Sequence, residues 1–536
     1  MRLSATAVVV FLLASPIFAQ PADKNSPAAY GQRMQYRLHD LIDDPYSYIP
    51  SYADRYRTLL QYSNPLTPHQ AYAMTMLLGP DSSRGYAKIP NTFALTFPDA
   101  HKVDLTEQVG WYYFAGTAHG KDGVDYGVLL MMFQFTMLPP PIAEHFGLTP
   151  LENQTVDVQL AITKKGGRMH QAAPPFFAGT TGEIEVGDRL FVRAGNNVVD
   201  TPSKDKLFPM TLRASGVDRG GASPVKVGLD ITLVSGKGII LQGADGCLPC
   251  IGGVGTRYYS IPNLMIDPAR SKITIGDSVV ELESGSFWMD HQWGTGMIPA
   301  GSAAYPALRA AGNLAAPSTP GWDFFVANFD DGSAITLNHL HTAEDKAWLN
   351  QSGPNPPPDY RDRAVVGKYI DPLATVFNVW GSVTIDRWAR GVTSPDPKIY
   401  PVSNVWFPHA WTFQLCGDIL PASLRKIRFE AISDDSTAMY FANTAQYVEA
   451  PVNVIDANGT RRGSGFGEAV GYEDFTPSVA ALAGLPPDVA KQMKPIPPSA
   501  GLKIRSFFYV ATHKQELNAI FACAGLPPAG KPCACQ

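Results

Sequence analysis

The chain has 536 residues, 45% of them apolar and 17% charged, and its 43 basic and 48 acidic residues leave a net charge of −5. That composition marks a globular protein and excludes a disordered one, while the length calls for two or more domains. Without a lysine- or arginine-rich run, a nucleic-acid partner is not expected.

Residues 1–19 read as a secretory signal. Arg2 supplies the positive start, Ala7 to Ala14 the apolar stretch and Ala19 a small residue at the cleavage point. The stretch is too short to span a bilayer, and no later segment reaches transmembrane length. The mature protein is therefore expected to be secreted or periplasmic, with no integral membrane segment. Residues 20–100 are predicted to form a helical and irregular extension. Its clearest element runs over 67–79, where Thr67 caps the start, Pro68 suits the first turn, Gln70 completes a capping box and Gly79 ends the helix.

From Trp111 the texture becomes β, with aromatic and β-branched runs separated by Asp-Gly, Gly-Asp, Asn-Gly and proline-rich turns. One pattern occurs twice. Trp111 to Gly116 leads through Asp122-Gly123 into Val128 to Phe133, and Trp322 to Val326 leads through Asp331-Gly332 into Ala334 to Leu337. This repeat predicts two β units, 101–295 and 296–474, and the order of strands and turns fits antiparallel barrels better than a sandwich. Residues 296–321 read as a linker or lid, 350–360 as a surface loop, and 475–536 as a helical, cysteine-bearing tail. The six cysteines are Cys247, Cys250, Cys416, Cys523, Cys533 and Cys535; they fit structural disulfides in an oxidising compartment.

The most informative segment is Ser286-Phe287-Trp288-Met289-Asp290-His291-Gln292-Trp293-Gly294. It follows a strand, a Gly276-Asp277 turn and a second strand, so it reads as extended. Trp288, Asp290 and Gln292 then point one way, and Met289, His291 and Trp293 the other. An acid beside an indole on a β surface is costly to bury without partners, which makes Asp290 a candidate site residue. His291, facing away from Asp290, is expected to be a barrel-to-barrel packing or hydrogen-bonding residue. Asn338-His339-Leu340-His341 places two imidazoles on one strand face, but no third ligand stands at recognisable spacing. Both are taken as polar residues that line a ligand cavity or face solvent, and no metal is expected. Trp111, Tyr113, Tyr259 and Trp322 are candidate pocket walls. No Gly-x-Ser-x-Gly, Walker or dinucleotide fingerprint stands out, so no cofactor is expected.

Taken in order, these segments resemble the AttH-like superfamily, which includes hydroxyneurosporene synthase (carotenoid 1,2-hydratase), kievitone hydratase-type prenyl hydratases and some fungal cyclases. The pieces are Trp111-Tyr112-Tyr113 with Gly116, Gly228 to Leu233, Leu241-Gln242-Gly243, Tyr258 to Pro262, Trp288 to Gly294, Gly321 to Phe325 and Gly465 to Tyr472. The resemblance implies a mainly β fold of two side-by-side lipocalin-like (calycin) barrels. It also implies a catalytic aspartate at Asp290 with an aromatic, Trp288, two residues before it. Hydrating an isoprenoid-like double bond needs an acid that keeps its proton in poorly solvated surroundings, with a second polar group placing the water; Gln292 is a candidate ligand-binding residue. The expected function is thus an exported, cofactor-free hydratase or other lyase that binds a small lipophilic molecule inside a hollow barrel and uses a buried Asp290 as general acid. An isomerase or cyclase on the same scaffold, or a lipocalin-like carrier, are the alternatives.

Overall fold

The structure is a computed structural model. It describes residues 86–89, 95–136, 140–145, 148–172, 176–295, 322–341, 351–391, 405–440 and 445–473, apart from positions 180–181, 244, 252–253 and 358–359. The signal, the 67–79 helix, the 296–321 linker and the 475–536 tail lie outside the described residues. Of the extension expected to be helical and irregular, residues 86–89 and 95–100 are described; they are irregular apart from a 3-10 turn at Asp99–His101.

Three long strands open the fold, β1 (Val109–Gly120), β2 (Asp125–Thr136) and β3 (Gln154–Lys164), with a short helix, α1 (Pro140–His145), before the third. Short strands follow: β4 (Met169–Gln171), β5 (Phe176–Ala178), β6 (Ile184–Val186), β7 (Phe191–Ala194) and β8 (Asn197–Asp200). Then come β9 (Met210–Asp218), β10 (Val225–Ser235), β11 (Ile240–Leu241), β12 (Cys247–Ile251), β13 (Val254–Ile266), β14 (Lys272–Ile275) and β15 (Ser278–Thr295). These form one antiparallel sheet of 15 strands, along the path β4-β3-β2-β1-β15-β13-β10-β9-β8-β7-β6. It wraps a core that includes Tyr112, Phe114, Leu130, Ile231, Phe287 and Met289, and β3 meets β9 and β10 across it.

The second set is β16 (Trp322–Phe329), β17 (Ala334–Leu340), β18 (Tyr360–Ile370), β19 (Val376–Arg390) and β20 (Trp406–Cys416). It continues with β21 (Lys426–Ala431), β22 (Thr437–Tyr440), β23 (Ala445–Asp456) and β24 (Arg461–Val470). Because β24 pairs β16 and β21 pairs β23, eight of these strands close into an antiparallel barrel. The whole is a mainly β, lipocalin-like architecture. Both halves of the sequence repeat are hairpins, β1–β2 and β16–β17. Their turns place Gly123 at φ 79° and Gly332 at φ 80°, a region that residues with a Cβ avoid. Cys247 is disulfide-bonded, whereas Cys416 is free and exposed. Among the described residues no helix is long and apolar enough to cross a membrane.

The run Val128 to Phe133 is apolar at every position because β2 is buried on both faces. Val128, Leu130 and Met132 enter the core of the first sheet. The alternate residues of β1, β2, β3 and β15 face the second barrel instead. Tight contact along this seam needs a glycine at Gly127, where a Cβ would come within 2.3 Å of the Pro451 ring. Polar bonds pin the seam as well. The Asn328 amide donates to Ser286 Oγ at 2.9 Å and to the Phe287 carbonyl at 3.1 Å, and its oxygen accepts from the Asn263 N–H at 3.0 Å.

Among the described residues the interior of the first sheet is densely packed by its apolar core. The turn ending at His101 caps that interior: Tyr112 donates its hydroxyl to the His101 carbonyl at 2.8 Å, and the Tyr259 hydroxyl pairs with His101 Nδ1 at 2.7 Å. Beside His291 there remains a crevice with about 10 Å³ of free volume, lined by Tyr112, Met132 and Val156 among others, which holds at most one water.

Candidate functional site

β15 runs unbroken for 18 residues and carries the tryptophan-rich segment. Its two faces divide as the alternation requires. Phe287, Met289 and Trp293 belong to the core of the first sheet. His291 lies on that inner side, stacked between Tyr112 and Trp293 with both ring centroids at 4.1 Å, and its Nδ1 bonds the Ala100 carbonyl at 3.1 Å. Of the two roles the sequence suggested, it fills that of a hydrogen-bonding residue and not that of packing between barrels; burial holds it neutral, far below the usual imidazole range. Tyr259 sits in the same inner cluster, 5.4 Å from His291. It walls the interior of the first sheet and not the Asp290 site, because strand pairing places Tyr259 opposite His291 and Ser260 opposite Asp290.

Asp290 faces the seam between the two β units. Trp288 Nε1 donates to Oδ1 at 2.7 Å, the Ser260 hydroxyl donates to the same oxygen, and the Tyr258 hydroxyl donates to Oδ2 at 2.9 Å. Gln242 donates its amide to Ser260 Oγ at 2.9 Å, which turns the serine proton toward the carboxylate. Trp288, Tyr258, Ser260 and Asp290 are all buried. Burial pushes Asp290 up to about 6, and the three donors hold it from rising further.

Two glutamates stand across the seam. Glu449 on β23 and Glu468 on β24 are direct cross-strand partners. Tyr113, which pairs with Asp290 across β1 and β15, donates its hydroxyl to Glu449 Oε2 at 3.2 Å. Trp322 Nε1 donates to Glu468 Oε1 at 3.0 Å. Phe324 adds an edge-on contact to Tyr113 at 6.4 Å, and Tyr447 donates its hydroxyl to Gln159 at 2.6 Å. Glu449 is wholly buried, and its Oε1 has no hydrogen-bond partner among the described residues. Burial, reinforced by the charge of Glu468, raises Glu449 well above the usual carboxylate range. Burial also lifts Glu468 to about 8, with the charges of Asp290 and Asp323 adding to the rise. Part of the Glu468 side chain reaches the surface, but its carboxyl is enclosed. Two carboxyls facing each other in such surroundings cannot both ionise near neutral pH, so the pair retains a proton.

The seam thus gathers Trp288, Asp290, Tyr113 and Trp322 of the residues singled out from sequence. Gln292 and Trp111 lie on the same face but half-buried; Gln292 donates to Thr256 Oγ1 at 2.7 Å, and Trp111 packs 5.7 Å from Phe133. His339 and His341 do not join them. They point into the second barrel, on the opposite face of its wall, where Asp323 of the neighbouring strand meets them. Glu449 went unnoticed in the sequence, while Tyr258, Ser260 and Glu468 appeared there only as members of matched segments, with no role assigned. No local spacing signals Glu449, since β23 and β15 meet only through the tertiary fold.

This arrangement defines a mainly β, lipocalin-like protein in which a large sheet lies against a closed eight-stranded barrel, with an acidic, aromatic cluster between them. The family model described as AttH-like matches residues 88–364, more than half of the chain, and the protein belongs to that family. Among solved structures, an AttH-type protein from Nitrosomonas europaea is 17% identical, covers 72% of this chain and 100% of its own, and superposes with a TM-score of 0.50. Kievitone hydratase from Nectria haematococca is 12% identical over 72% of this chain and 98% of its own, with a TM-score of 0.43. No curated protein matches the chain.

Proposed function

We propose that this protein is an exported hydratase-type lyase whose seam site adds water to, or removes it from, a small lipophilic molecule of isoprenoid type. The observation that carries the reading is the buried Glu449–Glu468 pair facing Asp290, three carboxyls with divergent proton affinities among Tyr113, Trp288, Trp322 and Phe324. Groups pushed apart in this way divide acid and base roles between them. Asp290, at about 6 and bonded by three donors, is mostly ionised at neutral pH. The acid role first assigned to it passes to the glutamate pair, whose Glu449 Oε1 is the unpartnered atom.

In this mechanism the pair donates a proton to one alkene carbon. A tertiary cation forms beside the indole and phenol faces, which stabilise positive charge. Ionised Asp290 adds electrostatic stabilisation in a site shielded from bulk water. Water, positioned near half-buried Gln292, attacks the cation, and its surplus proton returns to the carboxyl that gave one up. The chemistry needs only side chains. The family's carotenoid and kievitone hydratases suggest prenylated or polyene substrates, and a leader at 1–19 with the disulfide at Cys247 supports an extracytoplasmic location.

The test is incubation of the full chain with a panel of prenylated phenols and acyclic polyenes in ¹⁸O-labelled water. The reading expects labelled tertiary alcohol from at least one substrate and none from Glu449→Gln. Label incorporation that persists in that variant overturns the assignment of the acid.

A further inference from the structure

Inside the second barrel, away from the seam, Asp323, His339 and His341 converge, each contributing one donor atom within 4.8 Å of the other two. We infer that these residues form a binding site for a divalent transition-metal ion of the zinc type, set in the mouth of the second barrel. The backbone explains how they meet. Asp323 and His339 are register partners on β16 and β17, and His341 lies two residues further along the same face. Asp323 is the second residue of β16, His341 lies just past the end of β17, and Tyr472 just past β24, so all three sit at strand ends sharing one mouth.

The donor chemistry matches such an ion. Two imidazole nitrogens and one carboxylate oxygen suit zinc and its first-row neighbours, with remaining positions left for water. His341 Nε2 stands 3.3 Å from Asp323 Oδ1, which is about the edge of a tetrahedron with metal–ligand bonds of about 2.0 Å. The outer contacts are of the kind that orient metal ligands. His339 Nδ1 bonds the Ala364 carbonyl at 2.8 Å, which turns Nε2 into the available lone pair, and the Tyr472 hydroxyl donates to Asp323 Oδ2 at 3.2 Å.

Charge balance points the same way. Asp323 and His341 are fully buried, and the salt-bridge partner of Asp323 among the described residues is this one histidine. A buried carboxylate needs a positive counterpart, which an imidazolium or a metal ion can provide. Such an ion would tie β16 to β17 at the mouth, on the far side of the wall from Trp322 and Glu468. The site uses none of the seam's proposed acid and base residues, and a cation at Asp323 would offset part of the charge that raises Glu468.

The test uses the purified full chain, stripped with chelator and then dialysed against zinc chloride or cobalt chloride. Wild type is expected to retain about one equivalent of zinc. With cobalt it should show the intense visible bands of a four- or five-coordinate site, unlike the weak spectrum of the aqua ion. Asp323→Asn and His341→Gln should each weaken zinc binding more than about tenfold, and Tyr472→Phe about tenfold, in line with lost ligands and a lost outer contact. His170→Gln, which removes a residue paired with Asp218 elsewhere, should bind as wild type. Substoichiometric zinc in wild type overturns the site, as do unaltered affinities in Asp323→Asn and His341→Gln. Should those variants fail to fold, the wild-type cobalt spectrum decides alone, and an aqua-type spectrum refutes the inference.

Discussion

The two faces of β15 make the clearest contrast in the molecule. On the inner face His291 is neutral, stacked between two rings and bonded to a backbone carbonyl. One residue earlier, on the seam, Asp290 is equally buried but confronts two more carboxyls from the other barrel. Both groups suffer the same loss of water. The inner face answers with packing and a neutral form, which yields stability alone. The seam answers with hydrogen bonds and shared protons, which leaves groups able to exchange them. Burial of an ionisable residue is thus no sign of function by itself; what matters is whether its neighbours can take up or release the charge.

The contrast can be broken most forcefully at Glu449. Glu449→Gln should lower turnover about 10²–10⁴-fold, the usual contribution of a positioned acid, while thermal unfolding shows the fold intact. Asp290→Asn should come next, with a loss of about 10²-fold and little change in stability, because an amide can still accept from Trp288 and Ser260. His291→Ala should do the reverse. It removes a stacked core ring and should cost about 2–4 kcal/mol in denaturant unfolding, with turnover per folded molecule unchanged.

The same division should appear in the pH dependence of stability. His101, lowered to about 4 by burial, and His291, also lowered by burial, favour folding fully above the free imidazole value of 6.5. That contribution is lost as pH falls through their folded values. Asp290 rises from 3.8 to about 6 and Glu468 from 4.5 to about 8, so their contribution is present below the free values and lost as pH climbs through the folded ones. Melting temperature should therefore peak in mildly acidic solution, and Glu468→Gln should flatten the alkaline limb alone. The smallest effect is expected from Trp288→Phe. It removes one donor from Asp290, so the limb assigned to that group should shift to higher pH in a titration monitored by unfolding.

Much of this was legible in the sequence. The Gly276-Asp277, Asp122-Gly123 and Asp331-Gly332 turns, the repeated hairpin and the alternation of Trp288 and Asp290 against Met289 and His291 all depend on neighbouring residues. Strand geometry fixes such features locally. What escaped was set by contacts remote in sequence. Whether a face of β15 meets its own sheet's core or another barrel depends on how the sheet curls. That is why Asp290 was expected inside a cylinder and Tyr259 beside it. Glu449 lies 159 positions from Asp290 along the chain, and Asp323 reaches His339 only through strand register. The densely packed interior of the first sheet likewise results from the turn at His101, whose destination no periodicity reveals.

The central claim is a proton held by the glutamate pair in the seam. Carboxyl carbon-13 spectra of glutamate-labelled protein, assigned with Glu449→Gln and Glu468→Gln, read it directly across a pH titration. A resonance from this pair that stays in the protonated position until pH nears 8 is the expected result. Two resonances that both ionise near 4.5, as free glutamates do, would contradict it.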